Sequence, residues 1–311
     1  MQVIRDLAQF TPPPVGGGGG GYVTIGVFDG VHRGHQHLIT AMVEAAHTAG
    51  GTAIAVTFDP HPAAVLGRKP PPLLTTLAER ADLLAPLGLD VLVILPFTPA
   101  LARTPAADFV AALVQHLHLA ELWGGPDFAL GHRREGDIPC LQRLSARWGF
   151  SVHVVEPLMW EGALVNSSRV RAALKAGDLP QATGCLGRPY RLAGTVVHGR
   201  GIGRDIGIPT ANIAPPPERL IPATGIYACL AHGERLSRHP AAVNIGTRPT
   251  FDEHTLVVEA HLLDFDGDLY GQTLALDFIA RLRDEMAFPG VEALVAQIHK
   301  DIAQARGILG G

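Results

Sequence analysis

The feature that most constrains the fold is a repeated alternation of buried-strand and amphipathic-helix patterns in the first half of the chain. Residues 22–28 form an apolar, β-branched run, and residues 52–58 form a second one. Between them, residues 36–47 carry apolar side chains at helical spacing, and Gly50 and Gly51 follow as a helix end. Two buried strands joined by one helix form a βαβ unit, which predicts parallel pairing with a right-handed crossover.

The same alternation continues to about residue 155. We expect further helices at 77–84, 104–119 and 141–148 and further strands at 90–96, 121–123 and 151–155. This order predicts an α/β domain with a doubly wound, Rossmann-like parallel sheet. Because ligands bind beyond the carboxyl ends of the strands in such sheets, the loops that follow the strands are where we expect a site.

Beyond about residue 178, short β-rich runs separated by Gly- and Pro-rich turns replace the helical periodicity. The runs cover residues 191–198, 225–231, 241–245, 255–265 and 272–279. They predict a small antiparallel β-barrel, and the amphipathic pattern at 291–304 predicts a C-terminal helix. We therefore predict two domains, residues 1–182 and 183–311, since 311 residues is about twice the usual size of one domain.

The composition argues against several classes of protein. With 47% hydrophobic and 17% charged residues, the chain is expected to fold, and its net charge of −4 lacks the basic excess of a nucleic-acid-binding protein. The most apolar stretch, residues 91–95, is too short to span a bilayer, and the N-terminus does not resemble a signal peptide. The three separated cysteines indicate neither a disulfide framework nor a zinc site. We expect a cytoplasmic protein without nucleic-acid or membrane partners.

A run of glycines, residues 16–21, follows three prolines near the N-terminus. A phosphate-binding glycine loop follows a strand and precedes a helix, whereas this run precedes the first predicted strand. We interpret it as a flexible loop.

The first predicted βα turn carries two histidines at the entrance of its helix. His32 and His35 are expected where free backbone N–H groups and the helix dipole attract phosphate, and a histidine there can stabilise charge that builds up in a transition state. Gly34 would let a nucleotide approach the backbone closely. A metal site or chance capping are the alternatives among fifteen histidines, but the position at the first βα turn favours a nucleotide site.

Further polar loops are expected at the same edge of the sheet. Asp59 follows the second strand, and Asp127 with Phe128 follows the fourth. Later in the chain, Ser167 and Ser168 stand at a helix start, where hydroxyls can cap the helix or bind phosphate. The neighbouring arginines at 169 and 171 suit the recognition of a polyphosphate, and capping alone leaves them unexplained.

A second phosphate-type loop, residues 199–212, follows the first strand of the second predicted domain. Its four glycines and two arginines suit the wrapping of phosphates, and a mobile surface hairpin is the alternative. Thr210 and Asn212 would point the same way on an extended segment, and their oxygens suit Mg²⁺. Glu259 lies on the polar face of the strand 255–265, where the alternation alone favours an exposed glutamate over a general base.

Eight sequence segments carry a resemblance to a known family. FDGVHRGHQ, TFDPHP, GPDFALGHRREGD and VNSSRVR resemble the N-terminal module of bacterial bifunctional riboflavin kinase/FAD synthetases, which has an HxGH nucleotidyltransferase signature. GRGIGRDIGIPTAN, NIGTRPTF, EAHLLDFDGDLYG and RLRDEMAF resemble the flavokinase module of the same enzymes and occur in its order. The two resemblances together cover essentially the whole chain.

The resemblance implies two reactions that use ATP. Riboflavin would take the γ-phosphate in the second domain, with Glu259 activating its 5′-hydroxyl and Mg²⁺ held at Thr210 and Asn212. FMN would attack the α-phosphorus in the first domain, with His32 and His35 stabilising the transition state. The other implied ATP or phosphate contacts are Gly26, Phe28, Asp29, Gly34, Ser167, Ser168, Arg171, Gly201, Gly203, Arg204 and Gly207. The implied flavin contacts are Asp59, Asp127, Phe128 and Arg248.

Two positions depart from the family pattern, and two alternatives stay open. The family usually has serine where Asn166 stands and threonine where Ser168 stands, although both residues here keep a hydrogen-bonding group. The first alternative is that riboflavin kinase activity alone is retained, in which case FMN would accumulate without FAD. The second is a regulator that binds flavin or nucleotide without turnover.

Overall fold

A computed structural model describes residues 1–11, 19–199, 203, 207–249 and 254–310, except for the side chains of 248, 249, 254 and 255. The chain divides into two compact units, Met1–Asn166 and Ser167–Gly311. The predicted domain boundary between residues 182 and 183 stays a prediction. Residues 12–18, which include residues 16–18 of the predicted flexible loop, lie outside the described residues, whereas Gly21 is part of a strand.

The first unit is built on a parallel sheet. Its strands are β1 Gln2–Ile4, β2 Gly21–Ile25, β3 Thr52–Asp59, β4 Val91–Pro96, β5 Leu119–Gly124, β6 Ala129–Leu130, β7 Gly136–Asp137, β8 Ser151–Val154, β9 Met159–Trp160 and β10 Ala163–Leu164. Six of them pair in the order β1-β4-β3-β2-β5-β8, and every pair is parallel. The predicted α/β class and the five predicted strands are confirmed. The short edge strand β1 was not predicted.

Helices cover both faces of this sheet. They are α1 Arg33–Thr48, α2 Pro62–Val65, α3 Leu77–Leu84, α4 Pro99–Ala102, α5 Ala106–Leu117 and α6 Ile138–Trp148. Alternate residues of β3 face opposite sides, as the strand period of two requires. Ile54 joins the hydrophobic cluster that contains Leu113 of α5, whereas Ala53 joins the cluster that contains Met42 of α1. This two-sided burial is what the apolar strand runs indicated.

The order in which the chain adds strands to the sheet reverses between β2 and β5. The chain proceeds from β2 through β3 to β4 on one side, and then returns to β5 and β8 on the other. A crevice at such a switch point is the usual ligand site of a doubly wound sheet. The predicted strand 22–28 ends earlier than expected, at Ile25, because Phe28 has a left-handed backbone with φ 51° and belongs to the β2–α1 loop.

The second unit is a closed β-barrel flanked by helices. It contains α7 Ser167–Ala176, α8 Leu179–Leu186, β11 Tyr190–Val197, β12 Ala211–Ala214, β13 Gly225–Gly233, β14 Leu236–Pro249, β15 His254–Leu262, β16 Thr273–Arg283 and α9 Val291–Leu309. The barrel closes in the order β11-β12-β15-β14-β13-β16, with antiparallel pairs. The predicted barrel and its C-terminal helix are confirmed, whereas β12 and α8 were not predicted.

None of the helices in the described part of the chain is long and apolar enough to cross a membrane. Cys140, Cys185 and Cys229 are all free thiols, and burial raises the pKa of Cys229 well above its usual value. A buried thiol with a raised pKa is a poor nucleophile, so Cys229 serves as core packing in the barrel.

Two ion pairs of very different burial attach α9 to the barrel. Arg283 at the end of β16 forms a forked pair with Asp301 of α9, with Nε–Oδ1 at 2.9 Å and Nη2–Oδ2 at 2.6 Å, and Asp301 is 4% exposed. Gln297 also donates to this carboxylate at 2.9 Å. The second pair, Arg306–Asp264, is solvent-exposed. Because exposed pairs contribute little, the buried pair is expected to dominate the attachment.

This difference predicts that one substitution in each pair will have unequal effects on stability. Asp301→Ala leaves the half-buried guanidinium of Arg283 without its carboxylate partner and should lower the free energy of unfolding by about 3 kcal/mol. Asp264→Asn removes the charge of an exposed partner, at a φ of 55° that asparagine tolerates, and should change stability little. Urea unfolding followed by far-UV circular dichroism measures both variants, and equal losses would contradict this account of α9.

Candidate active sites

Predicted site residues from three loops of the first unit lie at one edge of its sheet. Phe28 and Asp29 follow β2, Asp59 ends β3, and Asp127 follows β5. Since β3, β2 and β5 are adjacent and parallel, their carboxyl ends lie side by side. The structure therefore brings together at this edge the loops that the sequence assigned to ATP and flavin.

The two histidines form a stacked pair at the start of α1. Their ring centroids are 3.6 Å apart with 20° between the planes. His32 caps the helix, since its Nδ1 accepts from the backbone N–H of His35 at 3.3 Å. The ring of Phe28 meets His35 edge-on, with centroids 5.3 Å apart. The pair is thus fixed by capping on one side and by aromatic packing on the other.

Two glycines leave room for this arrangement. A Cβ on Gly34 would lie 3.2 Å from the His32 ring and 3.2 Å from the Val165 carbonyl oxygen. A Cβ on Gly26 would lie 3.0 Å from the ring of Phe28. Glycine at position 34 therefore leaves space for the ring of His32. The sequence prediction had explained this glycine only by the close approach of a nucleotide.

Asp29 anchors the β2–α1 loop to the segment before α3. It is 2% exposed, and its carboxylate accepts from the backbone N–H groups of Leu74 and Thr75 at 3.0 Å. The Thr75 hydroxyl in turn accepts from the N–H of Gly30 at 3.0 Å. These bonds support a loop in which Phe28 and Val31 both have positive φ. The predicted contact of Asp29 with ATP stays a prediction.

The remaining predicted residues of this edge are less enclosed. Asp59 and Asp127 are exposed, and Phe128 is half-buried against the hydrophobic cluster that contains Leu113. The Asp127 carbonyl accepts from Arg134 at 2.6 Å. The predicted triphosphate contacts Ser167, Ser168 and Arg171 lie in the first two turns of α7, in the second unit.

In the second unit, strand register assembles a row of polar residues around the barrel. Glu259 of β15 pairs with Asn212 of β12 on one side and with Asn244 of β14 on the other. Asn244 pairs with Ile226, which pairs with Arg283. Directly opposed residues of antiparallel strands share a face, so these side chains lie on the same side of the sheet.

This row lines a cavity of about 370 Å³ between the barrel and α9. Thr210, Asn212 and Glu259 all line it, together with Gly203, so four predicted residues are brought together. Glu259 is half-buried, and the exposed position that the alternation alone favoured is wrong. The apolar side of the cavity includes Met286, Phe288, Leu294 and Ile298.

The oxygen atoms at this cavity are of the kind that Mg²⁺ prefers. The hydroxyl of Thr210, the amide of Asn212 and the carboxylate of Glu259 are hard ligands. Within the described residues, no group of three or more His, Cys, Asp or Glu side chains could hold a metal ion. The donor set therefore fits an ion that keeps several waters and binds substrate phosphates.

Other predicted residues of the second unit are only partly described. Gly207 is exposed with φ 78°, whereas Gly201, Arg204 and the side chain of Arg248 lie outside the described residues. The sequence prediction missed Asn244, Arg283 and Asp301 at the cavity. Alternation indicates which face a residue occupies, but it gives no information about which strands become neighbours.

The environment of His35 predicts a pH dependence of stability. Burial, followed by the nearby His32 and Arg80, lowers the pKa of His35 well below its usual value, so the folded protein holds it neutral. The unfolded chain binds a proton at this histidine at about pH 6.5. The neutral state of His35 therefore lowers the free energy of unfolding as the pH falls below that value, and it has no effect at higher pH.

Substitution of His35 should remove this contribution. The free energy of unfolding of His35→Gln should fall less between about pH 7.5 and pH 5.5 than that of the unsubstituted protein. His37→Gln, at an exposed position on the same helix, is the matched control and should keep the original slope. Urea unfolding at several pH values measures this, and parallel curves for all three proteins would contradict a neutral His35.

Two family models match the chain, and they match different halves of it. The model described as FAD synthetase matches residues 18–169, and the model described as Riboflavin kinase matches residues 186–309. A solved structure from Streptococcus pneumoniae, described as a macrolide-efflux protein, has a TM-score of 0.87 at 28% identity and covers 98% of both chains. The fold is therefore shared over almost the whole chain.

Curated relatives match the chain over both units. A bifunctional riboflavin kinase/FMN adenylyltransferase from Pseudomonas fluorescens is 38% identical over 310 residues, 99% of this chain and 98% of the relative. One from Escherichia coli (strain K12) is 36% identical over 290 residues, 93% of this chain and 92% of the relative. On this likeness, the chain belongs to the bifunctional riboflavin kinase/FMN adenylyltransferase family.

Proposed function

We propose that this chain makes FMN from riboflavin and then FAD from FMN, with ATP as the co-substrate of both steps. Separate matches to a riboflavin kinase and to an FAD synthetase model support the two activities. The observation that carries the proposal is the cavity at which Thr210, Asn212 and Glu259 meet, in a different unit from the stacked histidines.

The second unit transfers the γ-phosphate of ATP to riboflavin. Glu259 takes the proton of the riboflavin 5′-hydroxyl, the oxygen forms a bond to the γ-phosphorus, and ADP leaves. The strand pairing of Glu259 with Asn212 supports this role, since it holds a base beside a ligand for the metal–phosphate complex. The apolar side of the cavity suits a flat aromatic ring system.

We propose Mg²⁺ as the ion of this site, with Thr210 and Asn212 as its protein ligands. The ion would neutralise the negative charge of the ATP phosphates. The glycine-rich loop before Thr210 would wrap the phosphates through backbone N–H groups at Gly201, Gly203 and Gly207, with Arg204 beside them.

The first unit transfers the AMP group of ATP to FMN. A phosphate oxygen of FMN forms a bond to the α-phosphorus, and pyrophosphate leaves. His32 and His35 donate hydrogen bonds to the phosphoryl oxygens as negative charge builds up. Their position at the start of α1 supports this, because the helix adds its own free N–H groups and dipole.

The remaining assignments follow the same division. Ser167, Ser168 and Arg171 would contact the triphosphate, and Asp59, Asp127, Phe128 and Arg248 would contact flavin. We propose a boundary between the functional modules at residues 182/183, which falls between the matched ranges 18–169 and 186–309. We also propose that the protein works in the cytoplasm on riboflavin, FMN and ATP.

Single substitutions should separate the two activities. His35→Ala should lower FAD formation at least about 100-fold and leave FMN formation unchanged, because it removes a group that stabilises the transition state. Glu259→Gln should lower FMN formation by a similar factor and leave FAD formation from added FMN unchanged. Chromatographic separation of riboflavin, FMN and FAD after incubation with ATP and Mg²⁺ measures both steps.

The same assay decides among the alternatives. Loss of FMN formation in His35→Ala with adenylylation intact would reverse the assignment of the units. Accumulation of FMN without FAD in the unsubstituted protein would leave a riboflavin kinase alone. Ligand binding with release of neither ADP nor pyrophosphate would indicate a non-catalytic regulator.

The proposed metal ligands predict a changed response to Mg²⁺. Removal of the ion with a chelator should stop FMN formation, and added Mg²⁺ should restore it. Asn212→Ala should raise the Mg²⁺ concentration needed for half-maximal FMN formation about ten-fold or more. Asn166→Ala, in the first unit, is the control for FMN formation, and an equal shift in both variants would exclude Asn212 as a ligand.

A further inference from the structure

Arg80 of α3 is a buried cation that the proposed reaction has not used. It is 4% exposed, although arginine is almost never fully buried unless it is paired. No carboxylate lies within 4.0 Å of its guanidinium among the described residues. Its Nε also lacks a hydrogen-bond partner in the same part of the chain. Such a group is costly to bury, so the position calls for a functional reason.

The side chain of Arg80 holds in place the β2–α1 loop, which leads to His32 and His35 at the start of α1. Its Nη1 donates to Oγ1 of Thr57 at 3.2 Å, and this hydroxyl donates to the Val27 carbonyl at 3.2 Å. Thr57 belongs to β3 and is fully buried, whereas Val27 belongs to the β2–α1 loop. The two bonds join α3, the carboxyl end of β3 and a loop with two non-glycine residues at positive φ.

The charge of Arg80 also affects His35 at the start of α1. Burial lowers the pKa of Arg80, and the carboxylates of Asp29 and Asp59 oppose this. Burial also lowers the pKa of His35, with His32 and then Arg80 as further causes. The charged or titratable groups that act on His35 are thus His32 at the start of α1 and Arg80 from α3, with Asp29 and Asp59 acting on Arg80.

We propose that Arg80 is a positioning residue for adenylyl transfer, which fixes the β2–α1 loop to the end of β3 and holds a permanent positive charge near His35. This inference rests on the proposed function of the first unit. A neutral imidazole donates through one nitrogen and accepts through the other, whereas an imidazolium only donates, so the charge of Arg80 favours the form of His35 that can do both. In a poorly solvated site, a fixed cation also stabilises the negative charge of the transferring phosphoryl group.

Four variants of the full chain test this. Arg80→Met removes the charge and the hydrogen bond, Arg80→Lys keeps the charge, and Thr57→Val keeps the charge but removes the link to Val27. Arg143→Met makes the same chemical change at an exposed position of α6 and is the matched control. Riboflavin phosphorylation by the second unit, measured in each variant, gives an internal standard for active protein.

We expect Arg80→Met to lower kcat for FAD formation about ten-fold or more, with a much smaller effect on the KM for ATP. Because loss of a neighbouring positive charge raises the pKa of His35, the acidic limb of its kcat–pH profile should move to higher pH. Arg80→Lys should return the limb to its original position, and Thr57→Val should lower kcat without moving it. Arg143→Met should match the unsubstituted protein.

NMR titration of the His35 ring provides a readout that needs no activity. Its pKa should be higher in Arg80→Met than in the unsubstituted protein or in Arg80→Lys. An unmoved pKa and an unmoved acidic limb would overturn the proposal and leave Arg80 a packing residue. If Arg80→Met does not fold, a changed pKa in Arg80→Lys or an unaffected kcat in Thr57→Val would overturn it. Absence of FAD formation in the unsubstituted protein would instead refute the proposed function.

Discussion

Backbone pairing in register is the constraint on which both candidate sites depend. In the barrel, the pairs Asn212–Glu259 and Glu259–Asn244 put three polar side chains on one face across three strands. In the parallel sheet, the pairing of β3 with β2 and of β2 with β5 brings three loops to one edge. A slip of one residue in a barrel strand would turn its polar side chain to the opposite face.

Buried charges lie beside both candidate sites. Asp29 of the β2–α1 loop accepts from backbone N–H groups before α3, and Asp301 forms a forked pair with Arg283 beside the cavity. Arg80 differs from both, since it keeps its charge without an ion-pair partner among the described residues. Buried charges are expensive unless they are compensated, and here each one lies against a loop or helix that forms a site wall.

The sequence predicted the architecture because the relevant patterns are long and local. Five strands of the sheet, five of the barrel and the C-terminal helix follow from periodicity, and Thr210 and Asn212 share a cavity as their spacing of two suggested. The strands β1 and β12 are three and four residues long, too short for a clear pattern. Phe28 was assigned to a strand because its apolar character does not reveal a positive φ. Arg80 and Asp301 are ordinary polar positions in helical patterns, and tertiary packing alone distinguishes them.

The attachment of α9 has a consequence for the order in which the two sites can form. One wall of the barrel cavity comes from Leu294 and Ile298 of α9. The forked ion pair that attaches this helix to the barrel needs Asp301, which is also in α9. During synthesis on the ribosome, the whole of the first unit emerges before any of these residues exists. The β2–α1 loop can therefore take its final form on a nascent chain, whereas the barrel cavity stays open on one side until α9 has left the ribosomal tunnel.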